Sequence, residues 1–232
     1  MKPILVNFII LLISAMMTLF FLYGSSHAGT WIDEFDDDNL DGWTIVESSG
    51  GTSNWQVKDG VLDVTIKNEP RVALSTHILE LTAFPIEEER FRVIYTVHPS
   101  SPLPTFFGIL LGRRFEWNRN LSLLRTCYQF YLRRIDGPIA FPDKSPNIQL
   151  EIRQIDVHFD RGHFELFSEG EQIAKFEDNN FQQITVVALI ARGDDMFHVV
   201  VDSFEISGPG IHPYGVHTKG KVAVAWGGLK RP

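Results

Sequence analysis

Phe91, Val93, Tyr95 and Val97 alternate with Arg92, Ile94, Thr96 and His98 before the chain reaches Pro99. A period of two marks a strand with one face on a core. The same alternation runs through Leu62, Val64 and Ile66, through Ile148, Leu150 and Ile152, and from Phe197 to Ile206. Turn chemistry separates these runs. Lys58-Asp59-Gly60 stands between Trp55-Gln56-Val57 and Leu62, and Asp160-Arg161-Gly162 divides HFDRGHFELF; Asp-Gly and related pairs between alternating runs predict tight hairpins. Residues Ile184 to Ala191 are apolar on both faces and predict a central buried strand. Ser75 to Phe84 is the nearest candidate for a helix and reads equally as a strand and loop. Many short strands, no amphipathic helix and no internal repeat predict one all-β domain, a two-sheet antiparallel sandwich or jelly roll.

The two ends follow other patterns. Ile4 to Tyr23 is an apolar run after a single Lys2, followed by small residues and Ser26-His27-Ala28. Residues 1–28 read as a signal peptide cut before Gly29, or as an uncleaved N-terminal membrane anchor. Either reading places the remainder outside the cytoplasm, secreted, periplasmic or on the cell surface. Residues 30–207 carry the strand pattern. Residues 208–232 begin as a Gly/Pro-rich linker with His212, Tyr214 and His217. They end in KVAVAWGGLKRP, a last strand docking Val222, Val224 and Trp226, or a tail.

Composition narrows the function. The 232 residues are 44% hydrophobic, with 18 Phe, and the formal net charge is −8. That balance argues against binding a phosphate backbone, which needs a basic face. The single cysteine, Cys127, lies in an apolar run and reads as a small buried hydrophobe. His158 and His163 flank a hairpin without a third ligand nearby, which argues against a metal. Arg192-Gly193-Asp194 reads as turn chemistry between strands. Asn120-Leu121-Ser122 is a glycosylation sequon that matters only in a eukaryotic secretory pathway.

Three stretches could carry chemistry. In CYQFYLRR, Tyr128, Phe130 and Leu132 share one strand face, and Gln129, Tyr131 and Arg133 share the other. A ring flanked by fixed donors suits a sugar. Gly108 and Gly112 leave room for close approach, with Arg113 and Trp117 at that end. Asp202 falls in phase with Val200, Phe204 and Ile206, a core-facing register at which a lone carboxylate is costly unless neutralised. The third stretch, WIDEFDDDNLDGW, sets acids between Trp31 and Trp43. Trp31, Phe35 and Trp43 read as pins holding a loop of solvated Asx-type turn formers.

The order of landmarks resembles the concanavalin A-like (laminin-G-like) jelly-roll superfamily. DEFDDDNLDGW resembles its first strand and loop, WQVKDGVLDV the next hairpin, and TFFGILLGRRF with CYQFYLRR the inner strand pair. IQLEIRQIDVHFDRGHFELFSEGEQIAKFEDNNF resembles the late hairpins, and VVVDSFEIS the closing strand. The resemblance implies that the acidic opening lies beside the closing strand. Sandwiches of this kind often hold a structural Ca²⁺ there, which here would fall on Asp202 and Asp36 with the carbonyls around Glu34 and Gly60.

Family-sixteen glycoside hydrolases of this fold carry a Glu-x-Asp-x-(x)-Glu strand that aims two carboxylates into one cleft. No such strand occurs here. Asp33-Glu34-Phe35-Asp36 and Glu87-Glu88-Glu89 read as solvated charge. The resemblance therefore implies an exported, non-catalytic carbohydrate-binding domain that meets a polysaccharide through Gln129, Tyr131, Arg133, Arg113 and Trp117. The alternative is an architectural or protein-interaction module without a small ligand, and a glycosidase is the outlier. A sugar binder should keep Tyr131 or Trp117 open in a groove; packing of both favours the architectural reading.

Overall fold

The computed structural model describes residues 29–46, 51–68, 75–101, 106–112, 127–132, 134–136, 153–193 and 196–211. Fourteen strands occupy them: β1 (Gly29–Asp33), β2 (Trp43–Val46), β3 (Gly51–Lys58), β4 (Val61–Asn68), β5 (Ser75–Leu81), β6 (Arg90–Val97), β7 (Phe107–Gly112), β8 (Cys127–Tyr131), β9 (Arg134–Asp136), β10 (Gln154–Asp160), β11 (His163–Ser168), β12 (Glu171–Glu177), β13 (Val186–Gly193) and β14 (Phe197–Gly208). No helix among the described residues is long and apolar enough to cross a membrane. The leader and the tail, with Ile148 to Ile152, fall outside the described residues.

An eight-stranded sheet runs in the order β12-β11-β10-β6-β14-β4-β3, with β1 also pairing β14. A six-stranded sheet runs β2-β5-β13-β7-β8-β9. Every strand pairing among the described residues is antiparallel, for example β3 with β4 and β13 with β7. The Ser75 stretch is a strand because it finds β2 on one edge and β13 on the other.

Local turn chemistry sets three registers. β3–β4, β10–β11 and β11–β12 each turn through two residues at positive φ: Asp59-Gly60 (54° and 77°), Arg161-Gly162 (44° and 87°) and Glu169-Gly170 (49° and 84°). That pair of dihedrals matches the right-handed twist of the flanking strands.

The core lies between the sheets. Leu62, Val64, Val93, Tyr95, Val157 and Phe204 face Leu79, Ile109, Leu111, Phe130, Val187 and Leu189, all buried. Each such side chain contributes about 1.5–3 kcal/mol by leaving water. The six-stranded sheet is buried on its second face as well, where Ile78, Leu110, Cys127, Tyr131, Val186, Ala188 and Ile190 form a separate apolar cluster. This double burial explains why β7 and β13 lack polar alternation.

Candidate functional site

The acidic opening folds as a pinned loop. Trp31, Phe35 and Trp43 are buried, and Trp43 packs edge-on against Phe204 of β14, centroids 5.0 Å apart. Asp33 departs from the solvated reading. It is 1% exposed, accepts the Phe35 backbone N–H at 3.0 Å and accepts the Trp43 Nε1–H at 2.8 Å. Its place opposite Phe204 puts it inside the sandwich edge, where two donors stabilise the charge. Asp37 and Asn39 are turn formers: the Asn39 N–H reaches Asp37 Oδ1 at 3.4 Å, and the Asp41 N–H reaches Asn39 Oδ1 at 2.7 Å. Glu34 and Asp36 are exposed. Glu88 is likewise buried, unlike its exposed neighbours Glu87 and Glu89, because its backbone bridges to Ile184 in both directions.

Asp202 is not core-facing. The register of β14 against β6 slips between Val201 and Ser203, so Val201 sits opposite Val97 and Phe204 opposite Tyr95. Both Val201 and Phe204 therefore point inward, with Asp202 as the extra, half-buried residue of a β-bulge. Strand β14 exchanges neighbours there. It pairs β4 up to Val201↔Leu62 and pairs β1 from Phe204↔Asp33. The end of β1 and the Gly60 turn are thus brought to the bulge by topology. Phe35 follows with φ 54°, an uncommon backbone for a bulky side chain. Donor kind fits calcium, which takes a carboxylate with backbone carbonyls. Among the described residues no three His, Cys, Asp or Glu side chains converge on a metal position.

The inner strand pair departs from the open sugar face. Gln129 and Tyr131 do share a face, but they are 1% and 0% exposed. The Tyr131 hydroxyl donates to Gln129 Oε1 at 2.6 Å, and its ring packs edge-on to Phe106 at 5.5 Å. The basic partner is Arg192, whose Nη1–H donates to Gln129 Oε1 at 3.1 Å and lies 3.4 Å from the Tyr131 hydroxyl. Arg192 and Gly193 close β13. The room left by the glycines is also already filled. A Cβ on Gly108 would meet the Phe130 carbonyl and, at 2.7 Å, the Tyr131 Cα; one on Gly112 would meet Cys127 Sγ. Arg113, Trp117 and Arg133, with Asn120 and Asp194, lie outside the described residues.

One row across this face governs its chemistry. Register aligns Glu80, Ala188, Leu110, Gln129 and Asp136 on β5, β13, β7, β8 and β9. At about 4.8 Å per strand, the backbones at Glu80 and Asp136 stand about 19 Å apart. Glycoside hydrolysis needs its two carboxyls about 5–9.5 Å apart. Among the described residues, the six-stranded sheet sets no closer pair of acids on this face.

The other sheet carries His158 and His163. His158 and His163 do not face each other as a pair, since His158 lies opposite Glu165 and His163 opposite Asp160. Each lies beside a carboxylate instead: His158 Nε2 is 3.1 Å from Asp156 Oδ1 and His163 Nδ1 is 3.1 Å from Glu177 Oε1. Asp156 also accepts two bonds from Arg92, at 2.9 and 2.7 Å.

No family model matches the sequence, and no curated protein matches it. Solved structures do. A GlcNAcα1-4Gal-releasing endo-β-galactosidase from Clostridium perfringens is 10% identical with a TM-score of 0.51, over 80% of this chain and 64% of that one. A complex of the κ-carrageenase from Pseudoalteromonas carrageenovora with an oligotetrasaccharide of κ-carrageenan is 11% identical with a TM-score of 0.51, over 77% of this chain and 95% of that one. A non-specific endo-β-1,3(4)-glucanase from family GH16 is 9% identical with a TM-score of 0.54, over 80% of this chain and 92% of that one. This chain thus spans less than two thirds of the galactosidase. At these identities the likeness is one of fold, and the fold is the concanavalin A-like lectin/glucanase jelly roll.

Proposed function

We propose, taking the concanavalin A-like jelly roll as premise, that this chain is an exported, non-catalytic carbohydrate-binding domain. The neighbours in fold named above act on glycans, which supports the ligand class by analogy. The non-catalytic half rests on the sequence, which carries no Glu-x-Asp-x-(x)-Glu strand to aim two carboxylates into one cleft. That missing motif, on a jelly roll whose named neighbours act on glycans, is the observation that carries the reading. The apolar leader supports export.

The purified full chain on a glycan array, with a reducing-end assay on every bound glycan, tests both halves. Retention of a glycan without release of reducing ends supports the proposal. Release of reducing ends overturns its non-catalytic half.

A second reading, an architectural or protein-interaction module, draws on the burial of Tyr131 beside Phe106. Silence across the whole array would favour it. In either role we assign a structural Ca²⁺ to the bulge of β14, with Asp202 as the anionic ligand and Asp36 and the carbonyls of Glu34 and Gly60 completing the oxygen set.

A further inference from the structure

The outer face of the eight-stranded sheet carries a groove of about 610 Å³ that the carbohydrate reading of Tyr131 does not use. Its floor is two cross-strand rows. One runs Lys175, Glu165, His158, Arg92 and Ser207, from β12 through β11, β10 and β6 to β14. The second runs His163, Asp160 and Arg90, and continues beyond the groove to Glu177. Five strands at about 4.8 Å spacing make the first row about 19 Å long. The groove volume lies within the range of ligand sites, about 300–1,000 Å³.

Charge in the groove is arranged with a bias. In each of its three Arg or Lys ion pairs the basic side chain stands further out than its acid. Arg92 is 45% exposed against 11% for Asp156, Lys175 57% against 34% for Glu165, and Arg90 58% against 43% for Asp160. The acids are also occupied. Both Asp156 oxygens take Arg92 bonds, with His158 Nε2 beside one of them. Both Asp160 oxygens are engaged by Arg90 and Arg161.

The bases keep donors in hand. Arg92 directs two of its five N–H groups at Asp156, and Lys175 one of its three at Glu165. Three Arg or Lys side chains thus line the groove against two acids, Asp160 and Glu165, and turn N–H groups outward, on a chain whose net charge is −8. Such a surface complements an extended ligand that brings its own negative acceptors.

We infer that this groove binds an anionic polysaccharide, carboxylated or sulfated, laid across the strands from Lys175 to Arg92. The inference rests on the carbohydrate reading for the kind of ligand and on the groove for its charge.

The test uses the full chain in affinity electrophoresis against dextran, dextran sulfate and polygalacturonate, with a neutral β-glucan and a neutral galactan beside them. The expected result is retardation by dextran sulfate or polygalacturonate, none by dextran, and weakening as NaCl rises. A double variant, Arg90→Gln with Lys175→Gln, removes two exposed bases while leaving Arg92 on Asp156. It should weaken that retardation about tenfold. Lys58→Gln with Lys67→Gln, in the β3–β4 hairpin at the far edge of the same sheet, makes the same charge change and should leave retardation as it was. Equal weakening by this control pair would show diffuse attraction and overturn the groove. Retardation by the neutral glycans alone would overturn the anionic assignment and leave the carbohydrate reading standing. No retardation by any saccharide would overturn both.

Discussion

Tyr128→Phe removes one oxygen atom from the core and tests how the two sheets are fastened. Tyr128 belongs to β8 of the six-stranded sheet and is fully buried; its hydroxyl donates to Asp178 Oδ2 at 2.7 Å. Asp178, 4% exposed, follows β12 of the other sheet and accepts the Asn180 N–H on its second oxygen at 2.9 Å. Its own N–H donates to the Gly162 carbonyl in the β10–β11 turn. Burial, then the bond to Asp178 and the nearby charge, pushes the Tyr128 phenol well above its ordinary pKa, so it stays a donor at any working pH.

Phenylalanine keeps the ring contacts with Phe164 at 4.7 Å and Phe181 at 5.0 Å. The loss therefore isolates one hydrogen bond to a carboxylate, worth about 1.5–3 kcal/mol. For a chain of this size that is a drop of about 3–12 °C in Tm. Urea denaturation followed by tryptophan fluorescence should show a lower midpoint at unchanged slope. Asp178→Asn, whose one amide oxygen can accept from the phenol or from the Asn180 N–H but not both, should also lower the midpoint, and a double-mutant cycle should show coupling between the two positions. A Tyr128→Phe chain within about 0.5 kcal/mol of the parent would refute the fastening, since buried charged bonds do not vanish so cheaply.

Three further outcomes are expected. Gly108→Ala should unfold or aggregate the chain, because its methyl would enter the β8 backbone at Phe130 and Tyr131; a soluble, cooperatively melting variant would contradict that packing. His77 is buried, and desolvation lowers its pKa from the ordinary 6.5, so the unfolded chain binds the extra proton first. The stability it contributes is complete above pH 6.5 and is lost as pH falls below it, by at most about 1.4 kcal/mol per pH unit; His77→Gln should flatten the pH 6.5–5.5 stability slope, and an unchanged slope would refute this. Calorimetric titration of the chelator-treated chain with Ca²⁺ should give one binding event that Asp202→Asn weakens strongly; equal heats from both proteins would remove the cation from the bulge.

The readable parts of the fold were those decided within a few residues. Asp59-Gly60 and Arg161-Gly162 turn as their chemistry dictates, and Phe91 to Val97 alternates as written. Trp31, Phe35 and Trp43 pin the acidic loop for the same reason, since three large apolar side chains have one favourable place to go. Asp202 was misread because strict alternation carries through a bulge on paper but not in three dimensions. Arg192 was missed at the candidate site because its contact with Gln129 spans 63 residues. No local pattern announces such a meeting. The burial of Tyr131 escaped for a related reason: period two says which face a residue takes, and not what lies over that face.

The bulge in β14 also bears on how such a chain can vary over generations. Loops elsewhere can lengthen or shorten at little cost, because added residues leave the pairing of strands untouched. Removing Asp202, or doubling it, would rotate Phe204 and Ile206 toward water and turn Ser203 and Glu205 inward. An insertion or deletion at this one position should therefore be lethal to folding, while exchange of the aspartate for another residue is survivable. Lineages descended from this protein should keep the count of residues between Val201 and Phe204 more faithfully than their identity.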